Sequence, residues 1–163
     1  MDRIVAQWRR ERPDLDPSAK EVTGRLIRLA DAIGHRNADV LGPLGLTGAQ
    51  YGVLSALRRA GEPYELNPTE LARNQMMTSG GMTPVIDALE RAGLVARRAN
   101  PDDRRSRLVA LTPDGLSRID EAMEVHAATE HECVAGLTKT DQRKLVELLR
   151  KLTLAMGTDI SSP

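Results

Sequence analysis

The sequence predicts a mainly α fold of about six to seven helices with one small β-hairpin among them. Three observations predict it. Helix-start signatures recur at Thr47, Asn67, Thr112 and Thr138. Apolar residues between them return at helical spacing. Two short stretches, Leu94 to Arg98 and Arg107 to Leu111, read instead as strands joined by the polar turn Asn100-Pro101-Asp102-Asp103.

The 163 residues give room for one domain, or for a small domain plus an assembly element. A hydrophobic content of 40% excludes wholesale disorder. The formal net charge is zero, so any attraction for a polyanion must come from local charge. Such a concentration exists. Between Arg91 and Arg107 stand six arginines (Arg91, Arg97, Arg98, Arg104, Arg105, Arg107) against Asp102 and Asp103, a local net of plus four. From Pro113 onward nine acidic residues outnumber six basic ones.

Taken in order, Ile4, Val5 and Trp8 suggest a short first helix, stopped at Arg12-Pro13, with Asp14-Leu15-Asp16-Pro17 as a turn. Val22, Leu26, Leu29, Ile33 and Val40 then lie on one face of a long helix. Thr47-Gly48-Ala49-Gln50 is a capping box, opening a helix that turns Val53, Leu54 and Leu57 inward and ends before Gly61. Asn67-Pro68-Thr69-Glu70 places Asn at the cap, Pro at the first helical position and Glu at the third. Thr112-Pro113-Asp114 and Thr138-Lys139-Thr140-Asp141 repeat that logic. Leu116, Ile119, Met123 and Ala127 form the stripe after Thr112, and Leu145, Leu148, Leu149, Leu152 and Met156 the stripe of the final helix.

The expected division is 1–46 for an N-terminal extension and first dimerisation helix, 47–111 for a compact unit, and 112–163 for C-terminal dimerisation helices. Within the middle segment, Asn67 to Gln75 reads as the first helix of a helix-turn-helix, with Leu71 and Ala72 inward. The second begins near Thr78 and buries Met82, Val85, Ile86 and Leu89. Thr78, Ser79, Gly81, Thr83 and Asp87 are left on or near its exposed side. Hydroxyls there suit bases and phosphates, and glycine permits close approach to a major groove. The other reading makes Gly80-Gly81 a loop before a helix starting at Thr83; Pro84 suits a first helical turn on either. In the hairpin, Arg104 and Arg105 suit a narrow, electronegative minor groove, with Asp103 able to hold the Arg105 guanidinium. A solvated charged tip is the competing account. The whole arrangement is that of a winged helix-turn-helix with a DNA-facing side.

Leu71-Ala72, Leu89-Glu90-Arg91-Ala92-Gly93-Leu94-Val95, Pro101-Asp102-Asp103-Arg104-Arg105-Ser106 and Leu111-Thr112-Pro113-Asp114-Gly115 resemble the MarR family of multiple antibiotic resistance regulators. The likeness runs from about Val22 to Met156. It implies a homodimer joined by terminal helices, reading a pseudo-palindromic double-stranded operator and usually repressing. It also implies salt-bridge and minor-groove roles for Asp103 and Arg105. Thr78, Ser79, Gly81, Thr83, Asp103, Arg104, Arg105 and Arg107 are the expected DNA contacts. Independently, the long amphipathic helices outside the middle unit carry more apolar stripe than they can bury alone.

The N-terminal Gln7-Trp8-Arg9 and Pro13-Asp14-Leu15-Asp16 resemble the urate-responsive branch of that family, which pairs such a tryptophan with an aspartate and an arginine. Here Arg59 matches the arginine, and Gly52 stands at the aspartate position. The resemblance implies a ligand contacted by Trp8 and Arg59, and an arginine without its acidic companion suits a small organic anion, urate-like or a carboxylate. Packing of Trp8 as an anchor is the alternative. With no phenylalanine in the chain, an aromatic ligand could stack only on Trp8, Tyr51, Tyr64 or a histidine.

Two further readings are weighed. Cys133, the single cysteine, rules out an intrachain disulfide and could act as a redox sensor, although a structural thiol fits its place in the fifth helix better. A winged unit could also bind protein instead of DNA. His126 and His131, with Glu130, are a poor fit to one metal-binding face, so neither metal nor cofactor is expected. No nucleophile–base motif or phosphate-binding glycine loop appears, and an enzyme is not expected. The start Met1-Asp2-Arg3 lacks an apolar stretch and no run approaches a membrane span, so the expected location is cytoplasmic.

Overall fold

The four helix starts read from the sequence are closed by the side chains that predicted them. Thr47 Oγ1 accepts from Gln50 N at 3.2 Å while Gln50 Oε1 accepts from Thr47 N at 2.8 Å. Asn67 and Glu70 exchange the same pair of bonds at 2.9 and 3.0 Å. Thr112 and Thr138 each accept from the backbone N–H three residues on. Each cap satisfies an amide that the helix itself leaves without a partner.

The computed structural model describes residues 1–75, 77–101 and 106–157. Its order is α1 (Asp2–Glu11), α2 (Lys20–Leu41), a 3-10 turn (Gly42–Leu44), α3 (Gly48–Arg59), β1 (Glu65–Leu66), α4 (Pro68–Asn74), α5 (Ser79–Arg91), β2 (Val95–Ala99), β3 (Arg107–Leu111), α6 (Pro113–Val134) and α7 (Lys139–Ala155). The fold is mainly α with a small β-wing, as expected. The chain divides into two compact units, Met1–Asp39 and Val40–Pro163.

In the first unit α1 buries Val5 and ends at Arg12, whose guanidinium holds Asp14 at 2.8 and 2.5 Å. Asp16 then caps the entry to α2 by accepting from Ser18 N and Oγ at 2.9 and 2.8 Å. Arg25 pairs with Asp2, and Arg9 lies 3.5 Å from Glu21, so charge as well as packing ties α1 to α2. Of the stripe expected on α2, Leu26 is half-buried, whereas Val22, Leu29 and Ile33 are exposed.

The second unit is organised around α3. Val53, Leu54 and Leu57 are fully buried with Leu71, Met82, Ile86, Leu89, Val95, Val109 and Ile119. Those residues come from α3, α4, α5, both hairpin strands and α6, so the core is built mostly from residues 47–111 and closed by α6. The strands form a three-stranded antiparallel sheet in the order β1-β3-β2, with Val95 opposite Leu111 and Ala99 opposite Arg107. The β1 strand is an addition to the sequence reading. Two residues, Glu65 and Leu66, pair with Ala110 and Val109, too short a run to show periodicity.

Two local expectations are corrected, one in α6 and one in α5. In α6 the inward face is Gly115, Ile119, Ala122, His126 and Thr129, while Met123 and Ala127 are exposed. The helix meets α3 through the small Ala122 and through His126, whose ring stacks on Tyr51 at 4.4 Å, so apolarity alone misplaced the face. In α7 no side chain is fully buried, and of its apolar stripe only Leu152 is half-buried among the described residues. Pro84 is the sixth residue of α5, not part of a first turn. Its ring replaces an N–H that would have met the Gly80 carbonyl.

Candidate nucleic-acid interface

The helix proposed to meet DNA begins at Ser79, with Thr78 as its cap. Thr78 Oγ1 accepts from Gly81 N at 3.1 Å, and Met82 N donates to Thr78 O at 3.0 Å. The glycines therefore belong to the helix and are not a loop before Thr83. Met82, Ile86 and Leu89 fasten one side of α5 into the core, with Val85 half-buried. Thr78, Gly80, Thr83 and Pro84 are exposed on the other side, and Gly81 is half-buried.

Gly80 was weighed only as half of the Gly80-Gly81 pair and was not named among the expected DNA contacts. A Cβ built there would meet nothing within 4 Å among the described residues, so no contact among them requires glycine. Glycine in a helix costs roughly 1 kcal/mol relative to alanine. The feature that such a cost fits is a surface that must come close from outside.

The local arginine excess is partly neutralised by tertiary contacts. Arg97, on β2, pairs with both Asp87 and Glu90 of α5, and its backbone N–H donates to Glu90 Oε1 at 3.3 Å. The Asp87 hydrogen bond leads the effects that hold the Arg97 guanidinium above its usual range. Arg98 reaches Glu65 at 3.9 Å. Both carboxylates on α5 and the one on β1 lie outside the stretch over which the charge was counted. Asp87, read as an exposed polar residue of α5, thus serves as the tie between that helix and the wing strand. Arg91 and Arg107 remain exposed. Asn100 Nδ2 donates to Ser106 Oγ at 2.8 Å across the base of the hairpin turn. Asp103, Arg104 and Arg105 lie outside the described residues.

The residues connected with ligand binding are found as follows. Trp8 is 43% exposed, and the Lys20 ammonium stands 5.9 Å from its ring centroid. Trp8, Leu15, Asp16, Pro17 and Lys20 line a small cleft of about 280 Å³. Arg59, at the end of α3, is exposed, and its Nε donates to Ser55 O at 3.4 Å. Tyr51 is covered on one side by His126, and Tyr64 by the Arg58 guanidinium at 5.2 Å. Cys133 is half-buried in α6. Among the described residues no group of three His, Cys, Asp or Glu side chains could hold a metal ion, and no helix is long and apolar enough to cross a membrane.

A capped helix presented by a buried partner helix, beside a three-stranded wing, defines a winged helix-turn-helix protein. The MarR family model matches residues 44–106, the 3-10 turn through the base of the wing. The HTH-type transcriptional regulator PecS of Dickeya dadantii is 32% identical over 149 residues, 91% of this chain and 90% of PecS. The chain belongs to the MarR family of DNA-binding transcriptional regulators. Among solved structures, a cysteine-to-serine mutant of Escherichia coli MarR complexed with operator DNA is 31% identical. It superposes with a TM-score of 0.73, covering 82% of this chain and 96% of that one. BpsR of Bordetella bronchiseptica, whose DNA binding is regulated by 6-hydroxynicotinic acid, is 28% identical with a TM-score of 0.72, covering 82% and 94%.

Proposed function

We propose that this regulator binds a pseudo-palindromic operator as a homodimer, represses from it, and is released by a small organic anion. The observation that carries the DNA half is the exposure of Thr78, Gly80 and Thr83 at the start of α5, on a fold shared with an operator-bound relative. In this reading Thr78, Ser79, Gly81 and Thr83, with Gly80 added, approach the major groove. Arg105 enters the minor groove, with Asp103, Arg104 and Arg107 supporting it. Segments 1–46 and 112–163 supply the dimerisation helices, and half-sites about 10 bp apart match a two-fold protein. The exposed leucines of α7 support that assembly. A regulator and not an enzyme is the reading that the named relative supports, and a DNA-binding regulator is expected to act in the cytoplasm.

The ligand contacts are proposed at Trp8 and Arg59. Trp8, exposed and lining a small cleft, is the aromatic side chain best placed to take a flat ligand, and a guanidinium suits a carboxylate. That BpsR responds to an aromatic acid supports this class of ligand.

The decisive test is a gel-shift titration of Arg105→Ala. Loss of a groove-inserted arginine is expected to weaken operator binding by about 1–3 kcal/mol without unfolding the protein. Unchanged affinity would remove the wing from the interface. Phosphate contacts predict a slope of about −0.9 per phosphate neutralised in log affinity against log salt, which a protein-binding winged module would not show.

A further inference from the structure

The turn between α4 and α5 carries a contact that the DNA-binding residues do not explain. Gln75 is the residue that closes α4, three positions before the Thr78 cap of α5. Its side-chain Nε2 donates to the main-chain carbonyl of Gly52, in the middle of α3, at 3.0 Å. A Cβ built on Gly52 would lie 2.0 Å from Gln75 Oε1 and 2.7 Å from its amide carbon. The amide therefore lies flat against the bare backbone of α3, in the space a side chain would fill.

Nothing in the conformation of α3 calls for glycine at this position. Gly52 is an interior helical residue, where alanine is the better helix former. Close approach of the Gln75 amide is what the glycine permits. α4 itself is short, with Leu71 and Ala72 as its buried side chains, so the helix-turn-helix turn is held to the core at few points. A polar tie at its last residue limits how α5 can tilt.

We propose that the Gln75–Gly52 contact is a latch that positions α5 for the operator. Gln75 is a positioning residue, acting on DNA through the pose of the recognition helix. The inference rests on the reading of α5 as that helix. It also assigns Gly52 a role: position 52 is kept free of a side chain so that the Gln75 amide can dock.

The sharp consequence is that stability and binding should move apart. The group facing Gly52 is the far end of a flexible side chain, so Gly52→Ala expels the Gln75 amide and leaves the backbone in place. Circular dichroism of Gly52→Ala should show the unaltered helix content and a melting temperature equal to or above that of the unaltered protein. Operator affinity by fluorescence anisotropy should fall about tenfold, the scale of one lost hydrogen bond with its orienting effect. Gln75→Met keeps the side-chain length and removes the donor, and should lose the same factor. In the double variant the two losses should not multiply, because each removes the same contact. Affinity for non-specific DNA of equal length should be unchanged throughout, a readout that general destabilisation would not spare.

Operator affinity unchanged in Gln75→Met, losses that multiply in the double variant, or equal loss on non-specific DNA would each overturn the latch. Thr83→Glu separates this from the reading beneath it, since a carboxylate facing phosphates must repel the operator. If Thr83→Glu binds normally, α5 is not at the DNA and the latch's role in binding falls too. If it loses binding while Gln75→Met does not, the latch alone is overturned.

Discussion

The unit built on α3, α4 and α5 and the last helix, α7, are both amphipathic by sequence, yet one is closed and the other open. Around α3 every predicted inward residue finds cover: Val53, Leu54, Leu57 and Leu71 are fully buried. On α7, Leu145, Leu148 and Leu149 are exposed, and Leu154 is 79% exposed. The same spacing of leucines thus has two outcomes. Where elements adjacent in sequence return to the same centre, the stripe becomes a core. Where a helix follows the core, the stripe needs a second surface. The apolar area left on α7 is what a dimer would remove from water, at about 25 cal/mol per Å².

That contrast can be broken in order of effect. Gly115→Ala should be the most damaging single methyl in the closed unit. Its Cβ would come 1.9 Å from the Leu94 carbonyl oxygen, a backbone atom fixed by Thr112 N donating to it at 3.1 Å. We expect a loss of about 3 kcal/mol by urea denaturation. Wild-type stability would show that the junction between the hairpin and α6 can relax. Gly115 and Gly52 make a useful pair, since the obstacle is backbone at one and a flexible amide at the other.

On the open side, Leu148→Lys and Leu149→Lys should dissociate the proposed dimer while leaving the winged unit folded. Each buried leucine side chain is worth about 1.5–3 kcal/mol. Sedimentation equilibrium should show a weakened dimer; an unchanged dimer would place the assembly face elsewhere.

Thr112→Ala should have an intermediate effect of about 1 kcal/mol. Its hydroxyl accepts from Gly115 N at 3.0 Å and donates to Gly93 O at 2.7 Å. A thermal melt indistinguishable from that of the unaltered protein would mean that water replaces both bonds without loss.

The smallest effect concerns acid. Arg25 and Arg12, by side-chain hydrogen bonds, hold the carboxyls of Asp2 and Asp14 below their usual range. A carboxylate lowered in this way stabilises the fold above its unfolded pKa, and that contribution is lost as pH falls through the folded value. The pairs are exposed, so only a slight loosening of the N-terminal unit is expected below about pH 4. The emission of Trp8, the sole tryptophan, reports on that unit directly. A spectrum unaltered from pH 5 to pH 2 would mean that these pairs hold nothing in place.

Much of the fold was legible because its signals are local. Asn67 and Glu70 are three residues apart, and the capping geometry follows from that separation alone. α5 was read from its buried stripe, and its start from the Thr78 cap. The candidate site was legible only in outline. Gly80 was weighed only together with Gly81, because what separates the two is the empty space around Gly80, which no spacing reveals. Met123 was placed inward because it is large and apolar, although the packing of α3 on α6 favours Ala122 and His126. The two-residue β1 has no period to detect and exists because β3 offers it an edge.

By itself, the sequence determined the helix boundaries, the inward faces of α3, α4 and α5, the hairpin, and the family those features belong to. Each depends on residues within one or two helical turns, or on a motif carried intact along the chain. Only the tertiary structure decided which charges are neutralised and which glycines matter. Arg97 meets Asp87 and Glu90 across the junction of β2 and α5, while Gln75 meets Gly52 and Leu94 meets Gly115 across separations of about twenty residues. Such contacts arise when the chain collapses onto α3, and no local propensity encodes them.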